Sequence, residues 1–199
     1  MATLPTFSEV LSSRGTPDSP LAEALSTLFE PSPILFSKLV PELSSQILSQ
    51  SSYITTYSSI IDLAITTISS WDPHTKAAFI AGHPRIGEVS NLSHLSRQEQ
   101  AAKATPPEVL AQLVHLNAVY ERRYPGLRYI TFVNGRTRAE IRDEMQRVLR
   151  VVEDAEGGGD GEFEDFEVGG SKWTVELNRA VLDVGRIAKS RLAALSVVS

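Results

Sequence analysis

The chain has 199 residues, enough for one domain with a sizeable core, and carries 24 acids against 19 bases for a formal charge of -5. It has no cysteine, which excludes structural disulfides, Cys-ligated zinc and thiolate catalysis. No apolar run approaches a membrane span, the opening MATLPTFSEV lacks the stretches of a secretory signal, and no basic block suggests a nucleic-acid surface, so a soluble intracellular protein is expected. Eight of the acids fall between 151 and 171 with no base among them, which leaves 16 acids against 19 bases elsewhere. A slightly basic body with an acidic insert suits a small anionic substrate.

Phe7, Val10 and Leu11 form a first apolar group, followed by a loop over 12–19. In LAEALSTLFE, Leu21, Leu25, Leu28 and Phe29 recur at helical spacing until Pro31 and Pro33 interrupt them. A second helix is expected over 34–39, with Leu35, Phe36 and Leu39 on one side. The stretch 44–70 is rich in Ser, Thr and Ile, which weakens helix propensity. It nonetheless reads as helix, because Ile54, Tyr57, Ile61, Ala64, Ile65 and Ile68 keep the three-and-four spacing.

Trp71, Ala77, Ala78, Phe79 and Ile80 predict a short buried helix that Gly82 and Pro84 end around His83. His83 is thereby held at a helix exit, its backbone limited by the following proline. It is a candidate for chemistry, although the plainer reading has it hydrogen-bonded to a nearby loop. Ser96, Arg97, Gln98 and Glu99 spell a capping box, which accounts for Ser96 and Glu99 structurally but leaves Gln100 unexplained.

Thr105, Pro106, Pro107 and Glu108 read as a cap, a proline at the first helical position and an acid beyond it. Leu110, Leu113, Val114, Asn117, Tyr120 and Tyr124 are expected on one face of the helix that follows. Asn117 interrupts this stripe and, as a buried amide, needs partners; it is expected to fasten the helix to a loop. Pro125 and Gly126 stop the helix. The run LRYITFV over 127–133 is β-branched or aromatic but has no second strand to pair with, which predicts an extended connector whose amides face a ligand.

Thr137 and Glu140 form another capping box, and Ile141, Met145, Val148, Leu149 and Val152 continue its helix. The acidic, glycine-rich segment over 153–171 reads as a flexible loop, solvated or disordered, with Phe163 and Phe166 either docking on the body or standing alone. In the last helix, over about 172–197, Leu177, Ala180, Val181, Val184, Ile187, Ala188 and Leu195 face inward. Arg191 projects from the same face. A guanidinium there needs an anion, either a structural carboxylate or a substrate.

Taken in order, ALSTLFEPSP, GHPRIG, LSHLSRQEQ, LNAVYERRYPGL, GRTRAEI and VELNRAVLDVGRIAKSRL resemble the 2-oxo-4-hydroxy-4-carboxy-5-ureidoimidazoline (OHCU) decarboxylases of urate breakdown. The resemblance implies an all-α fold: one domain over 1–199, a helical bundle of about seven to nine helices with the connector near 127–133 and the acidic loop as an insertion. It implies a cofactor-free carboxy-lyase that converts OHCU, a small anion, to (S)-allantoin. It also implies a homodimer. His83 falls on the family's catalytic histidine and Pro84 on the adjacent pocket proline. Ser96, Glu99 and Gln100 fall on its serine, glutamate and glutamine, Arg191 on its late arginine, and Tyr129, Ile130 and Thr131 on its pocket aromatic and the following amides. Here His83 would take a proton from the substrate hydroxyl or stabilise the developing charge, and Glu99 would orient His83 or accept from the ureido nitrogens.

The chain departs from the family in a shorter segment between His83 and Ser96, in Val148 where many members have arginine, and in Phe132 where a small residue is common. No metal is implied, and the competing metal-dependent hydrolase built on His74, His83, His94 and Glu99 lacks a helical ligand spacing. A non-catalytic helical interaction domain is the other alternative. Against it, a scaffold could replace charged groups on a buried face by apolar ones. The glycines of the acidic loop have neither a preceding strand nor a phosphate-binding lysine, which sets a nucleotide fold aside. The chain ends in LSVVS rather than an SKL-type address, so cytoplasm is the expected compartment over peroxisome.

Overall fold

The computed structural model describes residues 3–49, 53–88, 105–149 and 165–196. Among them are eight α-helices and no strand: α1 Phe7–Leu11, α2 Pro20–Phe29, α3 Val40–Ser49, α4 Tyr57–Ser70, α5 Pro73–Ile80, α6 Pro107–Arg123, α7 Arg138–Leu149 and α8 Ser171–Ser196. The all-α expectation holds. No described helix is long and apolar enough to cross a membrane.

Short polar residues start most of these helices, because their side chains accept from amides that have no partner within the first turn. Thr6, Ser19, Thr56 and Asp72 each accept from the amide three residues on, in Glu9, Ala22, Ser59 and Thr75. Thr137 does the same for α7, accepting from the Glu140 amide at 3.2 Å while the Glu140 carboxylate accepts from the Thr137 amide at 2.6 Å. The box read in 96–99 lies outside the described residues.

Three boundaries differ from expectation, each for a local reason. Ile54 is buried but precedes the Thr56 cap, and α4 begins only at Tyr57, so 44–70 holds two helices. The reciprocal Thr56–Ser59 bonds win over continuation, as Ser and Thr do when they compete for backbone groups. The helix expected over 34–39 does not stop but passes through a π-helical turn, Leu35–Leu39, into α3. Pro41 has no amide to donate and its ring crowds the preceding turn, so the widened turn just before it, with the Val40 amide on the Leu35 carbonyl, lets the helix proceed. Thr105 is not the cap of α6; Pro106 holds that position with extended backbone, because a residue preceding proline avoids the helical region.

The buried stripe of α6 runs through Val109, Leu113, Leu116, Asn117 and Tyr120, while Val114, expected inside, is exposed. Asn117 sets this rotation: its Nδ2 donates to the carbonyls of Ile86 at 2.9 Å and Leu113 at 2.8 Å, so α6 is fastened to a loop as its buried amide required.

The longest helix, α8, packs against α2, α4 and α5, and α6 pairs with α7. Trp173 at the start of α8 is fully buried and donates through Nε1 to the Pro125 carbonyl at 2.9 Å. Leu21, Leu25, Leu28 and Phe29 of α2 meet Leu177, Val181, Val184 and Ala188 of α8 in one core. Each such large side chain removed from water contributes about 1.5–3 kcal/mol. Phe166 is docked, its ring 4.9 Å from Tyr124 and 4.6 Å from the Arg123 guanidinium, and its amide on the Arg123 carbonyl. Phe163 lies outside the described residues.

Candidate active site

His83 follows α5 directly. Its amide donates to the Ile80 carbonyl at 3.0 Å and the Gly82 amide to that of Phe79 at 3.1 Å, so the helix is closed by backbone alone. The imidazole stands edge-on to Phe79, ring centres 5.5 Å apart, and Phe79 in turn meets Phe29 and Trp71. His83 is 4 % exposed, and neither ring nitrogen has a hydrogen-bond partner among the described residues. The loop bond of the plainer reading is therefore not made by the ring. Among the described residues the hydrogen bonds of His83 are made by its backbone, the amide as above and the carbonyl accepting from Arg128.

Burial is the largest influence on the ring's proton affinity and pushes its pKa down to about 4, with the Arg191 charge acting in the same direction. Glu30, and more weakly the Phe79 and Ile80 carbonyls, oppose them. The imidazole is neutral at pH 7. It can therefore accept a proton as well as donate a hydrogen bond.

The GHPRIG segment owes its shape to its two glycines. A Cβ on Gly82 would lie 2.6 Å from the Ser32 side chain, so the chain leaving α2 and the chain leaving α5 touch only because that Cβ is missing. Gly87 has φ +84, and a Cβ there would also press on Leu113 of α6. Between them Pro84 is half-buried, and Arg85 grips Glu121 of α6 through two bonds of 2.6 and 2.9 Å.

Arg191 on α8 faces the core, as its helical position required, with both it and its partner almost wholly buried. Nη2 donates to Glu30 Oε1 at 2.7 Å and Nη1 to the Leu28 carbonyl at 3.3 Å, one of the carbonyls left over at the end of α2. Glu30 closes α2 in a left-handed conformation, φ 70 and ψ 140.

The connector over 127–133 is extended and unpaired, as expected. Tyr129 and Thr131 both donate to Glu144 Oε1 on α7, at 2.5 and 2.9 Å, and Arg136 closes on the same carboxylate. Tyr129 lies edge-on to Tyr120 and beneath the Arg179 guanidinium, and burial pushes its hydroxyl up to about 12. Ile130 and Thr131 are buried, and among the described residues neither backbone amide donates to a partner.

The structure thus gathers the adjacent His83 and Pro84 with Arg191 from two separate stretches, and adds Glu30 and Arg128, which the sequence reading did not single out. It places the side chains of Tyr129 and Thr131 in a second polar cluster around Glu144, also missed. One signal for Glu30 was available, since an acid at a helix exit opposes the helix dipole. Ser96, Glu99, Gln100 and His94 lie outside the described residues. His74 is exposed in the first turn of α5, at the opposite end from His83. Val148 and Arg147 lie on the outer side of α7, where among the described residues Arg147 bonds its own helix at the Asp143 carbonyl.

A comparison with curated proteins finds none that matches. The family model described as OHCU decarboxylase matches residues 15–158, a stretch that holds Glu30, His83, Ser96, Glu99, Gln100 and the connector and ends before α8 and Arg191. With nearly three quarters of its length matched, the chain belongs to the OHCU decarboxylase family.

Proposed function

We propose that the protein decarboxylates 2-oxo-4-hydroxy-4-carboxy-5-ureidoimidazoline to (S)-allantoin without a cofactor. The observation that carries the reading is His83: a buried imidazole, neutral at pH 7, with both nitrogens unpartnered among the described residues. An uncompensated polar group in a core costs stability, and a residue kept at that cost marks a site.

In this reading His83 takes the proton of the substrate's 4-hydroxyl as the bond to the carboxylate carbon breaks. The electron pair released as carbon dioxide leaves is held in the ring, and a proton returns to the ureido-bearing carbon from one face. Arg191 supplies a fixed guanidinium to an anionic or carbonyl group of the ring, and the Ile130 and Thr131 amides face its developing oxyanion. Ser96, Glu99 and Gln100 complete the pocket, with Glu99 orienting His83, and Pro84 and Tyr129 form its walls. A low dielectric strengthens each of these contacts.

Circular dichroism tests this directly. OHCU is generated in place from urate by urate oxidase and hydroxyisourate hydrolase, and the (S)-allantoin signal is followed with wild type or His83→Ala added. Wild type accelerates its appearance, and a still folded His83→Ala loses about 10²-fold or more of that acceleration. Spontaneous decay left unchanged by wild type, where a working decarboxylase is active, sinks the reading in favour of the interaction domain.

A further inference from the structure

We propose that Glu30 is a positioning residue of this site: its carboxylate holds the Arg191 guanidinium in place and balances that charge beside His83. The inference rests on the decarboxylase reading for its kinetic part only.

Three features of Glu30 run against local preference. It is an acid at the C-terminal end of α2, where the helix dipole disfavours negative charge. Its φ of 70 lies where glycine is at ease and an L side chain is strained. Its carboxylate is taken out of water, with the side chain 6 % exposed. A glycine at this position would relieve all three. A buried pair that only tied α2 to α8 is also replaceable by apolar groups of similar volume, often at no loss.

What glycine or an apolar pair cannot do is follow from the geometry. The segment that carries Glu30 lies against the His83 loop, since Ser32 occupies the place of a Gly82 side chain and Phe29 meets Phe79, which meets His83. Arg191 reaches the same segment from α8 with one nitrogen on Glu30 and another on the Leu28 carbonyl. Its planar fork is thus aimed by two fixed oxygens. Among the described residues, the charged groups bearing on the ring are Arg191 from α8 and Glu30 from the α2 exit, beside the Phe79 and Ile80 carbonyls of its own helix and Arg128 bound to its carbonyl from the connector. Loss of the Glu30 charge removes the contribution that raises the proton affinity of the ring, leaves that of Arg191 which lowers it, and makes protonation of the base harder.

The test compares wild type with Glu30→Gln, which keeps the shape and removes the charge. The decarboxylation assay reads kcat and KM, and nitrogen NMR of histidine-labelled protein reads His83 at about pH 4.5, assigned by its absence in His83→Gln, with the fold checked by circular dichroism. We expect kcat to fall about tenfold or more with KM little changed, and the protonated fraction of His83 to drop by about half or more. Glu30→Asp, which keeps the charge on a shorter arm, restores the NMR signal toward wild type while kcat stays low; it replaces Glu30→Gln if that variant does not fold. A folded Glu30→Gln with wild-type kcat and an unmoved His83 signal reduces Glu30 to a structural tie and overturns the proposal. If wild type itself has no decarboxylase activity the functional reading fails, and the His83 signal alone still decides whether Glu30 governs that ring.

Discussion

Two polar clusters lie within this helical core, and their hydrogen bonding differs. Around the connector, Glu144 takes up Tyr129, Thr131 and Arg136, while Glu176 accepts from Tyr120 at 2.7 Å and binds Arg179, which also reaches Asp183. At the α5 exit the Arg191–Glu30 pair is made, yet the imidazole beside it has no partner on either nitrogen among the described residues. A fully satisfied network holds backbone still, and here it holds the connector. A cluster that keeps one group unsatisfied has capacity for a substrate.

Breaking the pair beside His83 has the largest expected effect on stability. Arg191→Ala leaves the Glu30 carboxylate buried without its guanidinium and lowers stability by about 3–5 kcal/mol in urea denaturation. Glu30→Met with Arg191→Met recovers most of that stability, but not the decarboxylase activity. A double variant that regains both would make the pair a simple fastening and erase the contrast between the clusters.

The unpaired imidazole adds a pH dependence. The folded pKa of His83 is about 4 against an ordinary 6.5, so below about pH 6.5 the unfolded chain binds the proton that the folded one refuses. This contribution is full above pH 6.5 and is lost as pH falls through 4, amounting to about 3 kcal/mol. Wild type should therefore lose that much more stability than His83→Gln between pH 7 and 4, and equal slopes for the two proteins would count against a buried, neutral ring.

In the satisfied cluster, Glu144→Ala leaves the Tyr129 and Thr131 hydroxyls without their acceptor and takes the carboxylate from Arg136, which keeps its bonds to the Val133 and Phe132 carbonyls, for a loss of about 2–3 kcal/mol. Activity should fall as well, since the connector amides lose their anchor; an unchanged kcat would separate the two clusters functionally. The smallest effect is that of Thr137→Ala at the head of α7, about 1 kcal/mol in stability with activity near wild type.

The contrast also separates what was legible in the chain from what was not. The cap at Thr137, the unpaired connector, the buried Arg191 and the fastening role of Asn117 follow from contacts within a few residues or from one helix's periodicity. The placement of His83 at a helix exit is of the same kind. Where α6 turns Leu116 inward and Val114 outward, periodicity left neighbouring rotations open, and the Ile86 carbonyl on Asn117 chose between them. Pro41 marked a break by local rules, but the packed chain absorbed it in a π-helical turn.

The residue types at the site were written in the sequence: a histidine before proline, an arginine on a core-facing stripe, an acid at a helix exit. Their partnership was not. Glu30 and Arg191 are 161 positions apart, and nothing in either segment names the other. Only the packing of α2 and α5 against α8 brings the guanidinium onto the α2 exit and that segment under His83. Local sequence determines which groups a helix end presents, because capping and periodicity act over one or two turns. The tertiary structure decides which charge each group meets, because burial makes that meeting both strong and specific.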